Sequence, residues 1–273
     1  MPQILSRFAL LAVIALLSAC SGGGTPVSMS ENPMYPSIQD GENFIPAVPP
    51  QYLVSTNIRQ EVPYTGPEEA GAIVVDVYAR RLYKVHGDGT ATRYAIAVGR
   101  EGLSFRGDGV VGRKQEWPSW QPTRNMIRTR PDLYAQYAGG LPGGLDNPLG
   151  ARALYLYRGG RDTLFRIHGT IDPASIGRAT SAGCIRLFNQ DAIQLFDSTD
   201  LKTPVRVRTY EQSVAAEGNW IDDEYGRIVK VPEGMSIEEA KAHVAERAAK
   251  LPPIPASELA DPAANSGMEQ SGT

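Results

Sequence analysis

The pattern of hydrophobic and polar residues changes near residue 70. From Ala72 onward, short runs rich in Val, Ile, Leu and Tyr alternate with turn-forming residues, a pattern typical of β-strands. The β-prone runs are 73–78, 81–85, 94–98, 153–157, 164–167 and 205–208. Together they extend over about 140 residues, which is enough for one domain to bury its own core. The pattern therefore predicts one mainly β domain.

Two segments favour helices. Residues 190–196 carry apolar side chains at the spacing of a short helix. A second helix is predicted over 236–251, because Ser236 and Glu239 have the spacing of a capping box and Pro252 ends the pattern. This helix belongs to an acidic extension, residues 210–273. We expect it to pack on the β domain and the end beyond it to be disordered; a partner-binding helix is the alternative.

The N-terminus has the features of an export signal. Arg7 supplies a positive charge, and residues 8–17 form an apolar run that is short for a membrane span. The run ends in Leu17-Ser18-Ala19-Cys20, which resembles the lipobox of bacterial lipoproteins and implies lipidation of Cys20. An ordinary secretory signal is the alternative. We therefore predict a signal peptide over 1–19 and a lipidated N-terminus with a flexible, proline-containing linker over 20–65.

The charge balance gives no indication of a nucleic-acid partner. The formal net charge is −3, and removal of residues 1–19 would make it −4, since that segment contains one charged residue, Arg7. Residues 100–130 are locally basic, with seven Arg and Lys against three Asp and Glu. That excess could face an anionic substrate or could be a solvated surface.

One cysteine and one histidine carry the candidate chemistry. The chain has two cysteines, so if Cys20 is lipidated, Cys184 cannot form an intramolecular disulfide and is a free thiol. His168 precedes Cys184 by sixteen residues, and each adjoins a glycine. A thiol needs a base or a cation nearby to become a nucleophile, and His168 could be that base. The alternatives are a buried structural cysteine and a histidine of the core.

Neighbouring residues could complete an acyl-transfer site. The backbone carbonyl of Gly169 could orient the His168 imidazole, and the segment of Ser181 and Gly183 could supply oxyanion donors, with backbone N–H groups at Gly183 and Cys184. Arg186 could hold a carboxylate or an amide oxygen. A zinc site is not indicated, because the other two histidines, His86 and His243, lie far from this pair in sequence.

These motifs resemble the L,D-transpeptidases of the YkuD type (ErfK, YbiS, YcfS and YnhG). The likeness rests on His168-Gly169-Thr170 and on Ser181-Ala182-Gly183-Cys184-Ile185-Arg186, with further blocks at 98–102, 111–120 and 142–154. It covers about residues 70–209 and implies a mainly β, β-sandwich catalytic domain with one or two short helices. One departure is Ala182, where many members of the family have histidine.

The resemblance implies a cell-wall acyltransferase without a metal or organic cofactor. Cys184 would attack a peptidoglycan tetrapeptide stem, release D-alanine and form a thioester, with His168 as general base and acid. An amine of a neighbouring stem would then accept the acyl group and give a 3–3 cross-link. An envelope-protein amine or water could be the acceptor instead, and a non-catalytic peptidoglycan-binding lipoprotein is the alternative from another class.

Inhibition and location follow from the same resemblances. Carbapenems are expected to bind Cys184 covalently. The lipid on Cys20 would hold the protein on the periplasmic side of the bacterial envelope. The outer membrane is favoured over the inner one, because Ser21 is not the aspartate that often signals retention in the inner membrane.

Overall fold

Strands dominate the computed structural model, which describes residues 32–99, 106–180 and 185–251. A hairpin of β1 (Ile38–Asp40) and β2 (Asn43–Ile45) comes first. The next eleven strands are β3 (Gln60–Pro63), β4 (Ile73–Asp76), β5 (Arg81–Val85), β6 (Thr90–Ala95), β7 (Ala97–Gly99), β8 (Gly107–Glu116), β9 (Arg152–Arg158), β10 (Arg161–His168), β11 (Ala179–Thr180), β12 (Ile185–Arg186) and β13 (Pro204–Val207).

These eleven strands form one mixed sheet. Their order across it is β11-β7-β12-β10-β9-β8-β13-β4-β5-β6-β3. Neighbours are antiparallel except for β10 with β12, β11 with β7 and β13 with β4, which are parallel. Two short helices follow β8, namely α1 (Arg124–Thr129) and α2 (Pro131–Tyr134), and α3 (Asn189–Asp197) follows β12.

Both halves of the sheet contribute to one hydrophobic core. Ile73 and Leu82 from one half and Ile167 and Ile185 from the other are at most 1% exposed and belong to the same cluster. Leu195 of α3 completes this cluster. The mainly β fold predicted from the sequence is therefore confirmed, with the strands joined into a continuous sheet.

The predicted β-prone runs lie on strands of this sheet, whereas β8 has no such run. Its ten residues are rich in Gly and charge, and Val111 is the only one that is buried. β8 is held instead by backbone pairing with β9 on one side and β13 on the other. A strand stabilised in this way leaves a weak hydrophobic pattern in the sequence.

The prediction of a flexible linker up to residue 65 is wrong for residues 32–65. Tyr35 is fully buried, and its ring packs against Phe188 with centroids 5.4 Å apart. Arg59 Nη1 lies 2.9 Å from Oδ1 of Asp191 in α3, and the Tyr35 hydroxyl lies 3.2 Å from Oδ2. The apolar and charged contacts together attach this segment to the core, although its residues show no hydrophobic period.

Replacing Arg59 by glutamine is expected to lower the free energy of unfolding by about 3 kcal/mol, because it leaves a buried carboxyl group without its cation. Burial already raises the pKa of Asp191 to about 7 against the opposing effect of Arg59. Urea denaturation checks this, with Arg247→Gln as the matched control. Arg247 pairs with Glu224 from an exposed position, so its loss should cost less than about 1 kcal/mol. Equal losses in the two variants would contradict the expectation.

The C-terminal extension adds two helices and a hairpin to the β domain. It comprises α4 (Tyr210–Glu217), a hairpin of β14 (Trp220–Asp222) and β15 (Ile228–Lys230), and α5 (Ile237–Ala248). Ser236 and Glu239 make a capping box at the start of α5. This helix packs on the hairpin through a cluster that includes Ile221, Val231 and Ala240. Among the described residues, no helix is both long and apolar enough for a membrane span.

Candidate active site

His168 is the last residue of β10, in the middle of the sheet. It pairs with Ala153 of β9 on one side and with Arg186 of β12 on the other. The residue is 3% exposed, so neighbouring strands enclose it almost completely. This placement fixes the imidazole between two rigid elements.

The His168 imidazole is oriented by the backbone. Its Nδ1 atom lies 2.6 Å from the carbonyl oxygen of Gly169. A carbonyl oxygen can only accept, so Nδ1 carries the proton and Nε2 is the basic nitrogen of the neutral ring. Burial, together with the positive charge of Arg186, lowers the pKa of His168 to about 3, against the opposing effect of backbone hydrogen bonds to Gly169 and Leu149. The ring is therefore neutral at pH 7.

Gly169 is required by close packing. A Cβ atom there would lie 2.1 Å from Oδ1 of Asn189, at the start of α3. The same Asn189 oxygen accepts a hydrogen bond of 2.9 Å from the backbone N–H of Ala151. Asn189 thus buttresses the turn after His168. Sequence reasoning did not identify Asn189, whose only signal was a polar residue just before the predicted helix.

A cavity of about 220 Å³ opens beside His168. Trp120 lies in its wall. Thr123 caps the N-terminus of α1, and Met126 of that helix also faces the cavity. The remaining lining residues are Ser119, Gln121, Leu149, Tyr155, Leu164 and Arg166.

Two larger cavities, each of about 530 Å³, lie elsewhere. One is lined by Tyr64, Tyr83 and Arg208, and the other by Phe44, Thr170 and Phe188 among others. Neither is lined by His168. The smaller cavity is therefore the candidate active site, since it contains the titratable group with catalytic chemistry. Within the described ranges, no group of three or more His, Cys, Asp and Glu could hold a metal ion.

The other predicted site residues divide into two groups. Arg186 is described: it lies on β12 beside His168 and is 6% exposed. Cys184, Ser181, Gly183 and Cys20 lie outside the described residues, as does Ala182. The chain is described again from Ile185, which pairs with Ile167, the residue before His168.

The stretch that leads into the cysteine motif is held by the C-terminal extension. Arg80, in the turn after β4, donates from Nη1 to the carbonyl oxygens of Gly177 at 3.0 Å and Gly226 at 3.2 Å. Its Nη2 atom bonds to the Asp222 carboxylate. The Ile228 N–H also donates to Gly177, at 3.0 Å. One arginine thus connects the hairpin to the chain just before β11.

Replacing Arg80 by alanine is expected to cost about 2 kcal/mol of unfolding free energy, since it removes several hydrogen bonds of one buried cation. Arg80 has a φ of 51°, a left-handed conformation that glycine adopts more easily. Arg80→Gly should therefore be more stable than Arg80→Ala by roughly 1 kcal/mol. Denaturation curves of the two variants check this order, and the reverse order would contradict it.

Comparison with known proteins identifies the family of the part of the chain that contains this site. The YkuD family, described as the L,D-transpeptidase catalytic domain, matches residues 70–207. The Escherichia coli K12 protein named "Probable L,D-transpeptidase ErfK/SrfK" is 36% identical over 55% of this chain and 49% of its own length. Its Salmonella typhimurium namesake is 33% identical over 67% of this chain and 56% of its own length. The chain thus spans about half the length of these curated relatives.

Among solved structures, one from Brucella melitensis described as a "Probable carnitine operon oxidoreductase caia" is 44% identical. The match covers 56% of this chain and 95% of that one, with a TM-score of 0.41, a value too low to support an argument about fold or activity. The family match covers half of the chain, and it includes His168, the cavity beside it and the cysteine motif. The chain belongs to the YkuD family of L,D-transpeptidase catalytic domains.

Proposed function

We propose that this chain is an L,D-transpeptidase that acts on peptidoglycan stem peptides, with Cys184 as nucleophile and His168 as general base and acid. The observation that carries the proposal is the parallel pairing of β10 with β12, which brings Ile185 beside Ile167. Cys184 directly precedes Ile185 in the sequence, and Ile167 directly precedes His168, so this pairing supports the assignment of both residues to one site.

The proposed reaction begins with acylation. The Cys184 sulfur attacks the carbonyl carbon that follows the L-centre of diaminopimelate, and the thiol proton passes to Nε2 of His168. The tetrahedral intermediate then expels the amine of the terminal D-alanine, which takes the proton from the imidazolium. The product of this half-reaction is a thioester on Cys184.

Transfer of the acyl group completes the reaction. The amine of a neighbouring stem attacks the thioester carbonyl and gives up a proton to His168, and the sulfur leaves and is reprotonated. The acyl group then forms an amide, which is the 3–3 cross-link. Both half-reactions move only protons and an acyl group, so the proposed chemistry requires no cofactor.

The state of His168 supports this role. A neutral imidazole can accept the thiol proton at pH 7, and its orientation by the Gly169 carbonyl presents Nε2 as the acceptor. Gly183 and Cys184 N–H groups are the proposed oxyanion donors, with Ser181 in the same segment. Arg186, beside His168 on β12, is the proposed contact for a substrate oxygen.

The proposed location is the periplasmic side of the envelope, with residues 1–19 as signal peptide and Cys20 as the lipidated N-terminus on the outer membrane. Folded structure extends back to residue 32, which shortens the proposed tether to residues 20–31. A short tether restricts the catalytic domain to the vicinity of its anchor.

Defined disaccharide-tetrapeptides test the reaction, with products separated by mass. The expected product is a dimer that lacks one D-alanine, whereas a tripeptide would indicate water as acceptor. A second incubation that adds an envelope-protein amine would reveal a protein acceptor. Recovery of unchanged tetrapeptide in both incubations would contradict the proposal and favour a non-catalytic peptidoglycan-binding lipoprotein.

A further inference from the structure

Tyr155, in the wall of the active-site cavity, lies between two arginines, of which Arg166 also lines the cavity. Arg113 of β8 and Arg166 of β10 both pair with Tyr155 of β9, from opposite sides of that strand. The guanidinium carbon of Arg113 lies 4.0 Å from the centroid of the Tyr155 ring, and that of Arg166 lies 4.1 Å from it. Stacking on an aromatic face holds a guanidinium in place. Arg166 also donates to Asp162 and to the Phe165 carbonyl oxygen, whereas the N–H edge of Arg113 makes no hydrogen bond to another described residue.

Arg166 is fixed by an irregularity of its own strand. The pairing of β10 with β9 shifts register between Asp162 and Arg166. Leu164, within this bulge, has a φ of 66°, which is unfavourable for leucine. The bend brings both carboxylate oxygens of Asp162 within 2.9 Å of the Arg166 guanidinium. Bulges commonly redirect side chains beside active sites, and this one holds Arg166 against Tyr155.

Arg113 supplies the uncompensated charge of the group. Asp162 balances the charge of Arg166, whereas Arg113 has no ion-pair partner within residues 32–99, 106–180 and 185–251. The three side chains of Arg113, Arg166 and Asp162 therefore carry one net positive charge. Such a group attracts an anion more than a cation.

The position of this charge relative to His168 defines what it can bind. Arg166 and His168 are two residues apart on β10, so their side chains face the same side of the sheet. Their Cα atoms are about 7 Å apart along the strand. The donor of the proposed reaction carries a second carboxylate on diaminopimelate, five bonds from the centre next to the attacked carbonyl. An extended chain of five bonds covers a similar length, so this carboxylate can reach the Arg166 side of the cavity when the attacked carbonyl lies beside His168.

We propose that Arg113 and Arg166, held by Tyr155, form a subsite for the free side-chain carboxylate of the donor stem peptide. This inference rests on the proposed function for the identity of the donor. The subsite distinguishes a donor with a free carboxylate from one in which that group is amidated, because an amide gains little from a guanidinium pair.

Binding to the inactive variant Cys184→Ala tests the subsite separately from catalysis. Calorimetry with the free-acid and the amidated tetrapeptide should give a Kd roughly tenfold lower for the free acid, as expected for one charge-assisted hydrogen-bond pair. Adding Arg113→Gln or Arg166→Gln should remove most of that preference and leave binding of the amide unchanged. Arg113→Gln is the safer variant for folding, because Arg113 is exposed and bonds to no carboxylate within the described ranges.

Arg161→Gln is the matched control, since Arg161 is exposed at the start of the same strand, and the preference should persist in it. Equal Kd values for the two peptides would contradict the proposed subsite. An equal loss of preference in Arg161→Gln would contradict it as well. Failure of the proposed function is seen separately, as absence of a thioester in the wild-type chain with either peptide.

Discussion

Replacing Cys184 by alanine is expected to abolish formation of the 3–3 cross-linked dimer from tetrapeptide. The proposed reaction passes through a thioester, and alanine has no atom that can form one. The residual rate should therefore be that of the uncatalysed reaction. Product analysis by mass, at enzyme concentrations at which the wild-type chain converts all the donor, measures the loss.

The other cysteine provides the control. Cys20→Ser removes the predicted lipid acceptor and keeps the proposed nucleophile, so the purified chain should retain its rate on soluble tetrapeptide. Dimer formation by Cys184→Ala, or its loss in Cys20→Ser, would contradict the assignment of the two thiols.

The second large effect is expected at His168. His168→Gln should lower the rate of thioester formation by about 10²- to 10⁴-fold, the usual contribution of a general base. His86→Gln is the matched control, because His86 bonds to Thr92 at 2.8 Å in a different part of the sheet. The rates are measured by stopping the reaction at intervals and determining the mass of the intact protein. Similar rates in the two variants would exclude His168 from the proton transfer.

The pH dependence of this step follows from the low pKa of His168. Protonation removes the base, so the rate falls as the pH drops through the pKa of the imidazole, which burial lowers to about 3. We therefore expect thioester formation to keep most of its rate between pH 7 and about pH 5. A half-loss near pH 6.5, the value of a solvated histidine, would contradict this.

The same shift has a consequence for stability. The pKa of His168 is lower in the folded chain than in the unfolded one, so folding disfavours its protonation. The contribution of neutral His168 to the free energy of unfolding is fully present above about pH 6.5 and is lost as the pH falls towards 3. The difference in unfolding free energy between the wild-type chain and His168→Gln should therefore shrink over that range.

The strands at the centre of the fold could be predicted from the sequence alone. Runs of Val, Ile and Tyr around Ile73 and Leu82 mark strands because those strands bury nearly every side chain. The same holds for β9 and for the end of β10 at His168, where glycine and histidine also carry the motif. Position and chemistry coincide there, which is why the sequence alone is enough to predict His168 as a site residue.

The parts that the sequence did not reveal are held by contacts distant along the chain. The segment around Tyr35 and Arg59 is anchored by Asp191, more than 130 residues away, and no local pattern records such a contact. The same applies to the grouping of Arg113 and Arg166 on Tyr155, which depends on strand register. Asn189 supports the His168 turn in the same non-local way.

The mass of the intact chain after a brief incubation with tetrapeptide shows whether Cys184 carries the acyl group. We predict an increase equal to the mass of the donor minus D-alanine, located on Cys184 by peptide mapping, in the wild-type chain but not in Cys184→Ala. A carbapenem should add to the same residue. An unmodified chain with both reagents, or an adduct on a residue other than Cys184, would contradict the assignment of Cys184 as the nucleophile.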